Sequence, residues 1–206
     1  MAHYAMVIDT KSCCGCQTCA VACKTVNNLP KGVWYNRVIT VGGEASECAG
    51  GSFPDCTMHF RPQSCQHCEN PACVSVCPTG ASYVADGGIV RIDGDKCIGC
   101  QACIAACPYD ARTLIDPEPI YYIDGMTLGD PLAPVHVGGA VEKCDFCYDR
   151  IFAGEQPACM ELCPARARYW GDIDDPDSDV SKLISEREYE LYLEDQGTQP
   201  SVYYLK

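Results

Sequence analysis

The chain of 206 residues carries 28 acidic and 15 basic side chains, a formal charge of −13, with only four Phe and two Trp but 19 cysteines. So acidic a surface excludes nucleic acid and anionic lipid as favoured partners, and no run reaches the roughly 18–20 apolar residues that span a bilayer. Cysteine at this density marks one unit, or two fused ones, held together by covalent or metal links rather than by an apolar core alone.

The N-terminal MAHYAMVIDT reads as a β-strand running into a first cysteine group, Cys13/Cys16/Cys19/Cys23. It has no basic region, no apolar run of signal-peptide length and no twin arginine. Val33–Val41 is a second strand-like run, followed by a Gly-rich insertion holding Cys48 and Cys56. After the second group, Cys65/Cys68/Cys73/Cys77, the segment Tyr83–Asp93 places Asp86-Gly87-Gly88 between two β-rich runs, a hairpin signal. The third group is Cys97/Cys100/Cys103/Cys107, and the Pro- and Gly-rich stretch 109–143 is expected to be irregular. The fourth group, Cys144/Cys147/Cys159/Cys163, precedes Val180, Leu183, Ile184 and Leu191, whose spacing predicts one amphipathic helix between Asp179 and Gln196.

The chain repeats itself. Val7–Lys24 lies on Arg91–Pro108 at an offset of 84, matching at Ile-Asp, four cysteines, a Gly and a Gln; Pro71–Tyr83 lies on Pro157–Tyr169 at an offset of 86. Groups one and three are thus one type of half-module, two and four the other. Each half-module should be a short strand, a cysteine loop whose N–H groups face the sulfurs, and a short helix whose N-terminus favours an anionic group. The expected fold is α+β, with long irregular connections. Its organisation is a first half-module plus insertion (1–64), a central module (65–108), an irregular connection (109–143) and a last part (144–206) that pairs back with 1–24.

So many cysteines at such close spacing would make a strained disulfide framework, and only the fourth group looks passably like a zinc site. The shared order, a CxxC pair, a third cysteine, then xxxC, closed by Pro78, Pro108 and Pro164 in three groups and by Lys24 in the first, resembles the CxxCxxCxxxCP run of bacterial ferredoxins. There the first three cysteines bind one 4Fe-4S cluster and the fourth ligates the other. Sixteen cysteines then serve four clusters with none to spare. The exchange rule sets Cys65/Cys68/Cys73 with Cys107 and Cys97/Cys100/Cys103 with Cys77. It nests Cys13/Cys16/Cys19 with Cys163 and Cys144/Cys147/Cys159 with Cys23 outside them. Four such clusters, each about −2 with its thiolates, bring the charge to roughly −21.

From Val141-Glu-Lys-Cys-Asp-Phe-Cys-Tyr-Asp-Arg through Gly154, Pro157-Ala-Cys159 and Cys163-Pro164, the chain resembles a particular family. These are the iron–sulfur electron-transfer subunits of the dimethyl sulfoxide reductase family of molybdenum and tungsten oxidoreductases. The likeness extends from Ile8 to Pro200-Ser-Val-Tyr-Tyr. It implies a non-catalytic subunit relaying single electrons through four 4Fe-4S clusters to or from a molybdopterin catalytic subunit, often beside a membrane quinol-binding anchor. Some relatives replace a cysteine of the third group by Trp and hold a 3Fe cluster. This chain keeps Cys97, Cys100, Cys103 and Cys107 and lacks the C-terminal membrane helix of formate dehydrogenase small subunits. The implied location is cytoplasmic, or across the membrane after folded export on the partner's twin-arginine signal. Two alternatives remain open: a free-standing soluble polyferredoxin, and a zinc-binding structural scaffold.

Other residues invite weighing. Cys14 stands at the repeat position of Ile98 and reads as a small apolar loop residue, while Cys48 and Cys56 read as free thiols first, with a local disulfide or a subunit contact as the alternatives. His67 is either a hydrogen-bond donor to a cluster sulfur or a solvent-facing side chain, and Arg166 and Arg168 either neutralise clusters or are surface cations. The run Asp172, Asp174, Asp175, Asp177, Asp179 imitates a calcium loop without its Gly and Glu and reads as a turn. No phosphate loop, catalytic triad or carboxylate pair is present, so no substrate chemistry is expected.

Overall fold

The computed structural model describes residues 2–42, 48–123, 126–131, 133 and 135–206. Ala5-Met6-Val7-Ile8 form an unbroken buried run in strand β1 (Tyr4–Asp9), the signature of a strand covered on both faces. The first cysteine loop leads into helix α1 (Thr18–Val26), and strand β2 (Arg37–Val41) follows. The strand-like run beginning at Val33 is therefore shorter than expected. Lys24 explains it: its buried Nζ donates to the carbonyls of Pro30 and Val33, both at 2.8 Å, wrapping that segment into a loop. The Gly-rich insertion contains a small hairpin, β3 (Gly50–Ser52) with β4 (Asp55–Thr57), and β5 (His59–Gln63) returns antiparallel to β2.

The second group brings helix α2 (Ala72–Ser75), then the predicted hairpin, β6 (Ser82–Val84) with β7 (Val90–Ile92). Helix α3 (Ala102–Ala105) belongs to the third group, and the connection pairs only at its ends, β8 (Thr113–Leu114) with β9 (Val141–Glu142). A small polar knot ties it down. Tyr35 donates to Glu142 Oε2 at 2.5 Å, His136 Nδ1 meets the same oxygen at 2.6 Å, and His136 Nε2 reaches the Asn27 carbonyl at 2.8 Å. The fourth group holds α4 (Tyr148–Phe152) and α5 (Ala158–Glu161) and runs into β10 (Arg168–Asp172).

The predicted C-terminal helix is only α6 (Asp179–Glu186), started by Ser178 Oγ accepting from the Ser181 N–H. Arg187 is extended (φ −124°), and Leu191 lies in strand β11 (Tyr189–Leu191), paired antiparallel with β12 (Val202–Leu205). Sheet pairing overrides the helical spacing there. The four-stranded sheet has the order β10-β1-β12-β11, with β1 antiparallel to β10 and parallel to β12.

Alternation along β1 and β12 divides the core. Met6, Ile8, Val202 and Tyr204 face Ile89 and Phe146 on the cysteine side, and Val7 and Leu205 face Val180 of α6 on the other. Ile8 is 1% exposed at the centre of this sheet. Ile8→Ala should cost about 2–5 kcal/mol, read as a lower denaturant midpoint at unchanged slope.

Candidate metal centres

The duplication is written in the backbone as well as in the residues. Gly15 and Gly99 have φ of 70° and 67°, Gln17 and Gln101 62° and 61°, Gly80 and Arg166 67° and 50°. Gln17 and Gln101 occupy the N-caps of α1 and α3, so the two cysteine loops turn into their helices identically. Gly15 and Gly99 also lie where a Cβ would meet the Phe60 ring at 2.5 Å and the Gly139 carbonyl oxygen at 2.5 Å, so neither tolerates a side chain.

Pairing of β1 with β10 and packing of α1 on α5 bring the first and fourth groups together. Cys13, Cys16, Cys19 and Cys163 line one small cavity, here site I. Cys144, Cys147, Cys159 and Cys23 line a second, site II, beside Met6, Phe146 and Pro157. Site III is Cys65, Cys68, Cys73 and Cys107. Burial, then the neighbouring Cys65, Cys73 and Cys107 thiolates, push the Cys68 thiol up to about 12. The fourth set, site IV, is placed by its helices: α3 carries Cys103 and packs on α2, whose C-cap, Val76, is followed directly by Cys77.

The donor chemistry fits an iron–sulfur group. Buried thiols that repel one another as thiolates call for a multivalent cation: burial, then Cys144, Cys147 and Cys159, holds Cys23 well above its ordinary value. Backbone N–H groups point at the sulfurs: Ser82 to Cys77, Val141 to Cys97 and Ala167 to Cys163, each at 3.4 Å. At Cys77 burial acts upward, but the Ser82 and Thr79 hydrogen bonds prevail and bring the thiol to about 7.

Neighbouring charges give the order of the sites. The Cys159 thiol of site II feels Cys19 of site I, and Cys144 of site II feels Cys65 of site III. Arg112 feels Cys73 and Cys65 of site III and Cys103 of site IV. Cysteines of sites I and II, of II and III, and of III and IV are thus neighbours.

His67 and Phe146 stand at equivalent places in the second and fourth groups and stack on each other, centroids 3.7 Å apart and planes 19° apart, where sites II and III meet. His67 is fully buried, which overturns the solvent-facing reading. Its Nδ1 accepts from the Val90 N–H at 3.2 Å, so the proton sits on Nε2, which has no hydrogen-bond partner among the described residues. Burial, then Lys143 and Arg112, holds its pKa well below the usual imidazole range, so the ring is neutral.

Arg166 is exposed, whereas Arg168 is buried against Cys159 Sγ (3.6 Å) and Asn36 Oδ1 (3.1 Å), so the pair divides between the two readings. Arg112 went unnoticed in the sequence because it lies outside both repeated segments. Cys14, Cys48 and Cys56 are exposed free thiols; Cys14 is thus a surface residue, as is Ile98, its repeat equivalent. The aspartate run forms local turns, Asp172 Oδ1 accepting from the Asp174 N–H and Asp175 Oδ1 from the Asp177 N–H.

The 4Fe-4S dicluster domain family matches residues 56–117 and 133–173, which contain groups two, three and four. The chain belongs to the 4Fe-4S dicluster family. Group one lies outside both stretches but inside alignments with whole relatives. A Halobacterium salinarum protein assigned as the iron–sulfur subunit of a dimethyl sulfoxide reductase is 46% identical over 211 residues, covering 100% of this chain and 79% of that one. A selenate reductase subunit of Mesobacillus selenatarsenatis is 41% identical (98% and 72% covered), and a polysulfide reductase subunit of Wolinella succinogenes 39% (97% and 92%). This dicluster protein is therefore similar throughout to iron–sulfur subunits of oxidoreductase complexes, and its cofactors are 4Fe-4S clusters, four in number.

Proposed function

We propose that this chain is the non-catalytic electron-transfer subunit of an oxidoreductase, relaying single electrons along sites I–II–III–IV to or from a molybdopterin-containing subunit. The ligand sets are those of the exchange rule: Cys13/Cys16/Cys19/Cys163, Cys144/Cys147/Cys159/Cys23, Cys65/Cys68/Cys73/Cys107 and Cys97/Cys100/Cys103/Cys77. Bound there, iron–sulfur clusters supply one-electron chemistry. The chain supplies spacing, N–H···S bonds and burial. The observation that carries the reading is the row of four cysteine sets, each beside the next. Its ends fit the role: Cys16 of site I and Cys100 of site IV are exposed, while Cys23 and Cys65 of the middle sites are buried.

A subunit, rather than a free carrier, is favoured by exposed apolar side chains in the connection, Ile120 (65%), Tyr122 (57%), Met126 (59%) and Val135 (90%). Dimethyl sulfoxide, selenate and polysulfide reductase subunits among the relatives suggest a catalytic partner of that class, with a quinol-binding membrane anchor as a further partner in some complexes. No helix among the described residues is long and apolar enough to cross a membrane, so attachment would run through such a partner. Anaerobic purification should yield about sixteen iron and sixteen sulfide per chain. About eight iron in fully assembled protein, or stoichiometric zinc, would refute the four-cluster reading. Expression with and without the neighbouring gene product tests the partner: a fully loaded monomer in both cases, binding no molybdoenzyme, makes it a polyferredoxin.

A further inference from the structure

Arg112 and Arg168 are each 4% exposed. The ion pairs made by arginines among the described residues belong to Arg37, Arg61, Arg91, Arg150 and Arg187, so neither buried guanidinium has a carboxylate partner. A buried cation left uncompensated is strongly destabilising, so something else must balance each. Their anionic neighbours are cysteine sulfurs, which stand here for cluster-bound thiolates.

The sulfurs involved are equivalent in the two halves. Arg168 donates to Cys159 Sγ at 3.6 Å and lies within electrostatic reach of Cys19. Arg112 donates to Cys73 Sγ at 2.8 Å and lies within electrostatic reach of Cys103. Cys73 and Cys159 are the same position of the repeat, as are Cys19 and Cys103. In each module, then, one guanidinium bridges the third cysteine of one group and the third cysteine of the other. A guanidinium keeps its charge throughout the physiological range, so each gap holds a fixed cation.

The two arginines do not correspond in sequence. Arg168 aligns with Ser82, and Ser82 Oγ accepts from Arg112 Nη1 at 2.9 Å. Where one half supplies the cation from the strand itself, the other keeps a small hydroxyl there and brings the cation from the segment after the third group. Two routes to the same charge in the same gap mark the charge, rather than the side chain's packing, as what the site requires.

We propose that Arg168 and Arg112 are redox-tuning residues, one per module, each raising the reduction potentials of the two clusters it bridges. Reduction adds one negative charge to a cluster, and a fixed cation in a low-dielectric gap favours the reduced form. The inference rests on the four-cluster reading above. Fewer than sixteen irons in the parent protein would sink that reading, whereas a fully loaded parent whose potentials ignore these arginines sinks only this inference.

The test is an anaerobic redox titration followed by electron paramagnetic resonance, on the chain purified with its partner. Arg168→Met should lower the reduced-to-oxidised ratio of two clusters at least tenfold at fixed potential, a shift of about 59 mV for a one-electron couple. Arg112→Met should move the other two, and Arg168→Lys should recover most of the first shift. If a methionine variant sheds iron, Arg168→Gln and Arg112→Gln decide, because each keeps a hydrogen-bond donor and loses only the charge. A fall confined to two potentials in each loaded glutamine variant supports the proposal; four unmoved potentials in loaded methionine or glutamine protein overturn it in favour of a structural role.

Discussion

Cys23→Ser should remove the cluster of site II and spare the cluster of site I, although Cys23 belongs to the first cysteine group. Iron should fall from about sixteen to about twelve per chain, because one complete ligand set of four loses its fourth member. The physical ground is that Cys23 lines the cavity of Cys144, Cys147 and Cys159 and is repelled by those three thiolates rather than by its neighbours in sequence. Site II stands second in the row, so transfer from one end of the chain to the other should stop even with three clusters intact. Iron analysis with rapid reduction kinetics reads both effects. Loss of the Cys13/Cys16/Cys19 cluster instead would refute the exchanged pairing.

Stripping the iron under anaerobic chelation should unfold most of the chain, a loss comparable with the whole stability of an ordinary domain, about 5–15 kcal/mol. Three of the helices beside the cysteines, α2, α3 and α5, have four residues each, far below the length at which a helix persists by itself. The apolar clusters are small, and the buried thiols repel one another once ionised. Circular dichroism and limited proteolysis before and after chelation measure it. An apo chain that kept its protection would show that the sheet and α6 suffice without metal.

Much of this was legible because metal ligation imposes fixed spacings. The four cysteine groups and the two offsets could be read directly, and so could β1 and the β6–β7 hairpin, whose Asp-Gly-Gly turn is local chemistry. What could not be read was non-local. Leu191 fits a helical stripe from Val180, yet β12 takes it into a sheet. Lys24, read in the sequence only as standing where the other groups have proline, bends the segment after α1 by capturing two carbonyls. Arg112 carries no motif, and its role follows only from Ser82, thirty positions earlier, and Cys73. His67 could be placed inside a cysteine group but not assigned to the seam between modules, since its partner Phe146 lies in another group.

The central place of β1 has a consequence for biosynthesis. Its neighbours are β10 and β12, so β1 pairs with segments made more than 150 residues later. On the proposed ligand sets, residues 65–108 hold all the sulfurs of sites III and IV and can mature while the ribosome is still at work. Sites I and II would have to wait, because Cys13, Cys16 and Cys19 would need Cys163, and Cys23 the fourth group. For most of translation the N-terminal thiols are therefore exposed, unliganded and open to oxidation or to the wrong metal. Such long-range closure is slow. Cluster delivery to sites I and II would then have to follow synthesis of the fourth cysteine group, and a slow step there would limit yield.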